Sequence, residues 1–255
     1  KNIPLLKEMG IVVPDILAED YSKKDSAYAY QFLSKLNGKD LDLVVKDLSD
    51  EQLGKIAKEI SMIIDKTKTI YNNGRFGVAW GDFTEFSDSW TERMKIWVDE
   101  TIERGTPTGI MNDELKSILE NIFDDYKNYF DQVKATTYLS DISSKNVMVS
   151  NGIFSGIVDL DGMTQGDPLE LLGRIKASWP GTHYGEVYVN AVMNEQKLSL
   201  EQRKIVLAYA LLNRIAWACE NVIKFNQNTS GIVDEEKKSK DRDAIDILYK
   251  EYKEI

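Results

Sequence analysis

The middle of the chain repeats apolar positions at helical spacing, and this pattern predicts three helices. Ser49 followed by Gln52 forms a capping box that opens the first helix. Asp88 or Ser89 can cap the second helix, and Asn112 can cap the third. The apolar positions of the three helices are Leu53, Ile56, Ile60, Ile63 and Ile64; Trp90, Met94, Trp97, Val98 and Ile102; and Leu115, Ile118, Leu119, Ile122 and Phe123.

Two other stretches have β character. Residues 1–37 predict an extended segment, because "IVVP" and "AYAYQFL" are β-prone runs on either side of the polar turn "EDYSKKDS". Residues 147–158 predict a β-hairpin centred on Asn151-Gly152, the one clear β feature of the second half. The predicted fold class is therefore α+β and mostly helical.

The C-terminal third is predicted to be helical. Beyond Pro168 the apolar pattern predicts a long helix over residues 199–226 and a last helix that ends at Ile255. The charged run "DEEKKSKDRD" at 234–243 predicts a face that is turned to solvent.

The composition narrows the possible partners and chemistry. A formal charge of −10 disfavours nucleic-acid binding and suits a cationic small molecule. The single Cys219 cannot form an internal disulfide, so we expect a reducing, cytoplasmic setting. His183 is the only histidine and no nucleophile elbow accompanies it, which disfavours a serine hydrolase. No apolar run reaches bilayer length, and we expect no membrane partner.

Three oxygen-bearing side chains flank the predicted hairpin. Asp141 and Asn146 precede it, and Asp159 follows it. Because a hairpin brings its two ends together, these side chains are expected to converge. Phosphoryl transfer from a nucleotide needs such a set: a carboxylate for the hydroxyl proton and oxygen ligands for magnesium. Asn146 and Asp159 suit the metal, which leaves Asp141 as the base.

The segment "LSDISSKNVMVSNGIFSGIVDLDGMTQGDP" resembles the catalytic segment of the aminoglycoside phosphotransferase family, a branch of the protein-kinase-like fold that includes choline, homoserine and fructosamine kinases. The match falls on Asp141, Asn146, Asp159, Asp161 and the triplet Gly166-Asp167-Pro168. Upstream, "LKEMGIVVPDILAED" resembles the family's stretch entering its fourth strand, and "YQFLSKLNGKDL" resembles its fifth strand and hinge.

The resemblance implies a domain organisation and a reaction. Residues 38–255 would form a kinase-like C-terminal lobe with the catalytic segment at 139–168, and residues 1–37 a remnant of the nucleotide lobe. The activity implied is transfer of a phosphate from ATP or GTP, with Mg²⁺, to a hydroxyl of a small molecule. Aminoglycoside antibiotics are one candidate acceptor, which would imply a role in resistance.

It also implies roles for individual residues. Asp141 would be the catalytic base, and Asn146 and Asp159 the magnesium ligands. Backbone groups from Ser34 to Leu36 would contact the adenine, and Asp167 would brace its loop.

Other acidic side chains are candidates for holding a cationic acceptor. These are Asp161, Glu170, Glu220 and the stretch from Asp82 to Asp88. Asp161 suits a metal contact as well as a position facing solvent.

The chain departs from the family pattern in two places. Leu139-Ser140 stands where the family has His-Gly, so the polar bracing of that histidine is missing. Nothing in the sequence resembles the family's glycine-rich strands or its phosphate-binding lysine. This favours an N-terminally incomplete kinase, with a member that has lost nucleotide chemistry as the alternative.

Two other functions remain open. "IVDLDGMT" nearly matches the first motif of haloacid-dehalogenase-like phosphatases, in which Asp159 would be the nucleophile and Asp161 the general acid. That motif needs a central parallel strand, and the Asn-Gly hairpin favours an antiparallel one. The second alternative is a pseudokinase that binds a partner without catalysis.

Overall fold

Helices make up most of the computed structural model, which describes residues 2–24, 27–78, 86–221 and 231–254. A short 3-10 helix at Val45–Asp47 follows the second helix. The helices are α1 Asn2–Glu8, α2 Leu41–Val44, α3 Asp50–Thr67, α4 Trp90–Gly105, α5 Asp113–Phe130, α6 Leu169–Ser178, α7 His183–Glu195, α8 Leu200–Cys219 and α9 Glu235–Glu254.

The strands form small sheets, and every strand pair among the described residues is antiparallel. One sheet has the order β1-β2, a second β3-β6-β7 and a third β4-β8-β5. The predicted α+β, mostly helical fold class is confirmed. The strands are β1 Ile16–Asp20, β2 Tyr30–Leu33, β3 Lys39–Asp40, β4 Gly77–Val78, β5 Thr136–Leu139, β6 Val147–Ser150, β7 Ile153–Ile157 and β8 Met163–Gly166.

The predicted helix starts are confirmed by their caps. The Ser49 hydroxyl accepts from the backbone N–H of Gln52, and the Gln52 side chain accepts from the Ser49 N–H, which completes the capping box of α3. Ser89, and not Asp88, caps α4 through its side chain. Asn112 caps α5 in the same way.

The predicted hairpin is also confirmed. β6 and β7 are joined at Asn151-Gly152, where both residues have positive φ angles of 53° and 75°. A two-residue turn of this kind requires left-handed backbone at both positions, which Asn and Gly adopt readily. The turn packs on the start of α3: a Cβ on Gly152 would lie 1.8 Å from Nε2 of Gln52.

The N-terminal residues depart from the predicted extended segment. Residues 2–8 form helix α1, with Ile3 and Leu6 buried on one face three residues apart. "IVVP" is not a strand, although its Val12 carbonyl accepts a hydrogen bond from the N–H of Ile157 at 3.0 Å. The run therefore contacts the end of β7 through one hydrogen bond. The strand of this region is β1, which begins at Ile16.

The hairpin is not the only β structure of the second half, and that prediction was wrong. β5 and β8 pair with each other immediately outside it. Both strands are four residues long, and all of β8 is buried. A strand that is buried on both faces shows no alternation of polar and apolar residues, so its pattern carries no signal with a period of two.

The C-terminal helices differ from the prediction in two respects. α8 ends at Cys219, and the predicted continuation to residue 226 falls mostly on residues 222–230, outside the described part. In the charged run, Asp241 is only 4% exposed. It accepts hydrogen bonds from Arg214 at 2.6 Å and Lys237 at 2.8 Å, because α9 packs on α8.

The helix that follows β8, α6, packs against the buried helix α8. α6 packs on α8 so closely that a Cβ on Gly173 would lie 2.4 Å from the Cβ of Tyr209. In the ranges given above, no helix combines the length and apolarity needed to cross a bilayer.

Candidate active site

Two loops run side by side between the two three-stranded sheets. The first crossing loop, residues 140–146, leads from β5 to β6, and the second, residues 158–162, leads from β7 to β8. β6 pairs with β7 in one sheet, and β5 pairs with β8 in the other. Each loop therefore starts and ends beside the other, which brings the ends of the predicted catalytic segment together.

Backbone hydrogen bonds tie the two loops at both ends. The N–H and the hydroxyl of Ser140 both donate to the carbonyl of Gly162, at 2.7 and 2.9 Å. At the other end the Val158 N–H donates to the carbonyl of Asn146 at 3.0 Å. Asn146 and Asp159 are thus neighbours across the loops.

Asn146 and Asp141 are in direct contact. The Asn146 amide nitrogen donates to the Asp141 backbone carbonyl at 2.7 Å and to the carboxylate Oδ2 at 2.9 Å. Because both partners are acceptors, this end of the amide must be the NH₂ group. The side-chain oxygen of Asn146 therefore points away from Asp141 and is available to a cation.

Asp159 has a left-handed backbone, with a φ of 54°. Aspartate adopts this region more readily than most residues, and such positions cluster at functional sites. Partial burial raises the pKa of Asp159, and the charges of Asp141 and Asp161 raise it further. The carboxylates are therefore close enough to repel one another, and a bound cation would relieve that repulsion.

Arg174 on α6 is a site residue that sequence reasoning missed. Its Nη1 donates to the Ser140 carbonyl and to the Asp141 carboxylate Oδ1, each at 3.2 Å. Its Nε donates to the Glu170 carboxylate at 3.0 Å. The four-residue spacing of Glu170 and Arg174 was a usable signal for an ion pair on one helix face, but nothing local pointed to Asp141.

Glu170 was a sequence candidate for contact with the acceptor, and it lies inside the fold. It is 8% exposed, and its second oxygen accepts from the Tyr138 hydroxyl at 3.1 Å. Burial, followed by the charge of Glu170, raises the pKa of Tyr138, so the phenol remains a donor. Both oxygens of Glu170 are used internally, and we do not assign it to substrate.

The other acidic candidates have different positions. Asp161 is exposed on the second crossing loop. Glu220 ends α8 and forms an ion pair with Arg104 at 3.3 Å. Burial raises the pKa of Glu220, against the lowering effect of the nearby charges of Arg104 and Arg174. Of the stretch Asp82 to Asp88, residues 82–85 fall outside the described ranges, and Asp88 is an exposed partner of Arg75.

The predicted adenine-contacting segment runs beside β7. The Ser34 N–H donates to the Asp15 carbonyl, and the Ser34 hydroxyl accepts from the Asp15 N–H, both at 2.8 Å. Leu36 packs on Gly156, where an added Cβ would lie 2.7 Å from Leu36 Cδ1. The N–H and the hydroxyl of Ser34 are therefore both used within the fold.

Asp167 faces the core and not the two loops. Its Oδ2 accepts from the hydroxyls of Tyr129 at 2.6 Å and Tyr209 at 2.9 Å, and its Oδ1 accepts from the Leu169 N–H at 3.0 Å. Burial raises its pKa, against the effect of these hydrogen bonds. The contacts agree with the bracing role that the resemblance implied.

The residues that are present fit a magnesium ion only in part. Within residues 2–24, 27–78, 86–221 and 231–254, no group of three or more His, Cys, Asp or Glu side chains is arranged to hold a metal. Asn146 and Asp159 supply one amide and one carboxylate oxygen, however, and magnesium commonly takes its other ligands from water and substrate phosphates. A site shared with a nucleotide matches this donor set.

The comparisons with known proteins find similarity in structure alone. No protein-family model matches the chain, and no curated protein has a similar sequence. Among solved structures, a thermostable mutant of aminoglycoside phosphotransferase APH(4)-Ia, in a ternary complex with AMP-PNP and hygromycin B, superposes with a TM-score of 0.68 at 14% identity. The match covers 97% of this chain and 80% of that one.

Two more structures show the same similarity. A GDP complex of an aminoglycoside 2′-phosphotransferase-IIIa mutant has a TM-score of 0.64 at 14% identity, over 99% of this chain and 77% of that one. A protein assigned as a fructosamine-3-kinase from Haemophilus somnus 129PT has a TM-score of 0.59 at 12% identity, over 96% and 76%. The chain therefore has the kinase-like fold of the aminoglycoside phosphotransferases, as the sequence resemblance implied.

Proposed function

We propose that the protein transfers the γ-phosphate of ATP or GTP to a hydroxyl group of a small molecule, with magnesium. The observation that carries this proposal is the contact of Asn146 with Asp141 on one crossing loop, beside Asp159 on the other. Solved structures of the same fold include complexes with AMP-PNP, ADP and GDP, which supports a nucleotide as donor.

Asp141 is the proposed base. Its two carboxylate oxygens each accept one hydrogen bond, from Asn146 and from Arg174, and each keeps a lone pair for the hydroxyl of the acceptor. The side chain is half-exposed, so an acceptor can reach it. A carboxylate in this position accepts or orients the proton of the attacking hydroxyl.

Asn146 and Asp159 are the proposed holders of magnesium, which when bound supplies positive charge to the phosphates during transfer. Burial raises the pKa of Asp159 and the charges of Asp141 and Asp161 raise it further, so a cation held at this position would favour the ionised carboxylate. The neutral amide of Asn146 adds an oxygen without adding to the repulsion between the carboxylates.

The segment from Ser34 to Leu36 is the proposed contact for the base of the nucleotide. For the acceptor, Asp161 on the second crossing loop and Glu220 after α8 are the proposed acidic groups, and they suit a cationic molecule. Neighbours of this fold bind hygromycin B and gentamicin. Aminoglycosides are therefore the first acceptors to test, and a role in resistance and a cytoplasmic location stay predictions.

The strand direction argues against the phosphatase alternative. Its motif requires the strand before Asp159 to lie within a parallel sheet, whereas β7 is one arm of an antiparallel hairpin. The second alternative, a module that binds without catalysis, is separated from the proposal by experiment.

The test is a transfer assay with labelled ATP and GTP, Mg²⁺ and a panel of hydroxyl acceptors that includes aminoglycosides. Asp141→Asn should lower transfer by about a hundredfold or more, the range for loss of a catalytic acid or base. Asp159→Asn should also lower transfer strongly, because it weakens the hold on a metal whose charge stabilises the phosphates. Asp99→Asn, which changes an exposed carboxylate on α4, is the matched control and should leave activity unchanged.

Three outcomes decide between the functions. Asp161→Asn should retain the kcat of transfer, whereas release of inorganic phosphate that is lost in Asp161→Asn would indicate a phosphatase with Asp161 as general acid. Magnesium-dependent nucleotide binding without transfer to any acceptor would favour the binding module. Full activity in Asp159→Asn would overturn the proposed role of that residue.

A further inference from the structure

We propose that Arg174 is a positioning residue that holds Asp141 in place for proton abstraction. The inference rests on the phosphotransferase function proposed above, because it assigns a support to the base of that reaction. Arg174 does not touch substrate in this role. It acts through Asp141 and through the backbone of the first crossing loop.

A chain of hydrogen bonds joins the buried core to the exposed carboxylate. The hydroxyl of Tyr138, a fully buried residue of β5, donates to Glu170, which accepts from Nε of Arg174 through its other oxygen. Nη1 of Arg174 then donates to Asp141. The guanidinium group is planar, so fixing Nε on Glu170 also fixes the direction of Nη1.

Arg174 holds the loop at two points. One is the Asp141 carboxylate, and the other is the carbonyl of Ser140, the residue immediately before it. A side chain that holds both the backbone and the carboxylate restricts the rotation of Asp141 as well as the path of the loop. Asn146, at the other end of the loop, also holds Asp141 by donating to its carbonyl and to its carboxylate.

At the start of the first crossing loop, polar contacts come from Ser140 and Arg174 but not from residue 139. Leu139 stands where the resembled family has histidine, and it is apolar and 1% exposed, so its side chain forms no hydrogen bond. The N–H and hydroxyl of Ser140 are tied to Gly162. Arg174 thus supplies, from α6, the polar side-chain contact that residue 139 cannot supply.

There are two alternative roles for the ion pair of Arg174 with Asp141. It contributes to stability alone, or it restrains Asp141 in an unproductive position. The three roles predict different effects of replacing Arg174. A positioning residue affects kcat, a purely structural pair affects the folded fraction, and a restraint raises activity when it is removed.

The experiment compares Arg174→Gln, Arg174→Lys and the control Arg242→Gln. Arg242 lies on α9 and forms ion pairs with Glu114 on α5 and with Asp246. For Arg174→Gln we expect a fall in kcat of about tenfold to a hundredfold, with KM values and magnesium-nucleotide affinity changed less than about threefold. Arg174→Lys should recover part of kcat, because it keeps the charge and loses the planar geometry.

A folding defect is controlled by a second variant and a second measurement. Arg174→Gln leaves Glu170 buried without its partner, so the double variant Glu170→Gln/Arg174→Gln removes both charges and leaves no unpaired buried carboxylate. Amide hydrogen exchange in residues 140–146 should be faster in both variants than in wild type and Arg242→Gln.

Unchanged or increased kcat in folded Arg174→Gln would overturn the inference, as would an effect on KM alone or unchanged exchange in the loop. Complete absence of transfer by the wild-type protein would refute the proposed function instead. The exchange measurement would then decide whether Arg174 orders the loop.

Discussion

Replacing Asp167 with alanine is expected to destabilise the fold strongly. The carboxylate is 5% exposed and accepts hydrogen bonds from Tyr129, Tyr209 and the Leu169 N–H. The Tyr209 hydroxyl also accepts from the indole N–H of Trp90 at 2.7 Å, so it cannot turn freely to another partner. Alanine would leave two phenol groups facing a small cavity.

The magnitude follows from these contacts. A hydrogen bond to a charged group contributes about 1.5–3 kcal/mol, so the two phenol bonds together contribute about 3–6 kcal/mol. Burial raises the pKa of Asp167, which shows that the carboxylate itself is poorly solvated, and this cost disappears with the side chain. We therefore expect a net loss of about 2–4 kcal/mol, a large share of the stability of about 5–15 kcal/mol typical of a domain.

Asp167→Asn keeps the volume and one acceptor oxygen, so it should cost less, about 1–2 kcal/mol. The sign of its pH dependence follows from the raised pKa. Between the ordinary pKa of an aspartate, about 3.9, and the raised pKa, the folded state binds the proton more tightly than the unfolded chain does. Wild-type stability relative to Asp167→Asn should therefore fall as pH rises through this window, because asparagine does not titrate.

Urea unfolding of wild type, Asp167→Ala, Asp167→Asn and Tyr129→Phe, followed by tryptophan fluorescence, measures these differences at several pH values. The double variant Asp167→Asn/Tyr129→Phe completes a cycle that isolates the coupling of the pair. A loss below about 1 kcal/mol in Asp167→Ala, or relative wild-type stability that rises with pH, would refute this reasoning. Loss of kcat in fully folded Asp167→Asn would place Asp167 in the active site.

Two further predictions concern packing and reactivity. Gly166→Ala should destabilise the protein by about 1–3 kcal/mol, because the new Cβ would lie 2.2 Å from Cζ3 of Trp90. Gly54→Ala is the control: with no atom within 4 Å of its Cβ in α3, it should stabilise by about 0.5–1 kcal/mol in the same denaturation assay, and equal effects of the two would contradict the packing argument. Burial raises the pKa of the Cys219 thiol to about 11, so alkylation at neutral pH should follow unfolding, and rapid labelling of the native protein would disprove it.

The features that sequence reasoning predicted correctly depend on residues close together in the chain. The caps at Ser49 and Asn112 join a side chain to a backbone group three residues away. The turn at Asn151-Gly152 depends on the backbone freedom of two adjacent residues. Signals of this kind survive in a single sequence because the tertiary environment does little to alter them.

The features that were missed depend on partners far along the chain. Asp241 lies in a charged run that predicts exposure, yet it is buried by Arg214, 27 residues earlier on the packed helix α8. Arg174 reaches Asp141 across 33 residues, and only the docking of α6 brings them together. Composition and periodicity describe one element at a time, so they cannot show which charged groups two elements bury between them.

The motif "IVDLDGMT" alone is compatible with Asp159 as a magnesium ligand of a kinase and with Asp159 as the nucleophile of a phosphatase. The direction of the strands distinguishes between these two interpretations. In a parallel sheet, the residue after the strand would face the ends of strands that arrive from distant parts of the chain. Here β6 and β7 are antiparallel, so the end of β7 lies beside the start of β6. Asp159 is then a neighbour of Asn146, which in turn contacts Asp141. This proximity follows from the hairpin and does not depend on how the other elements pack. The order Asp, Asn, hairpin, Asp is informative because the hairpin converts a sequence order into proximity.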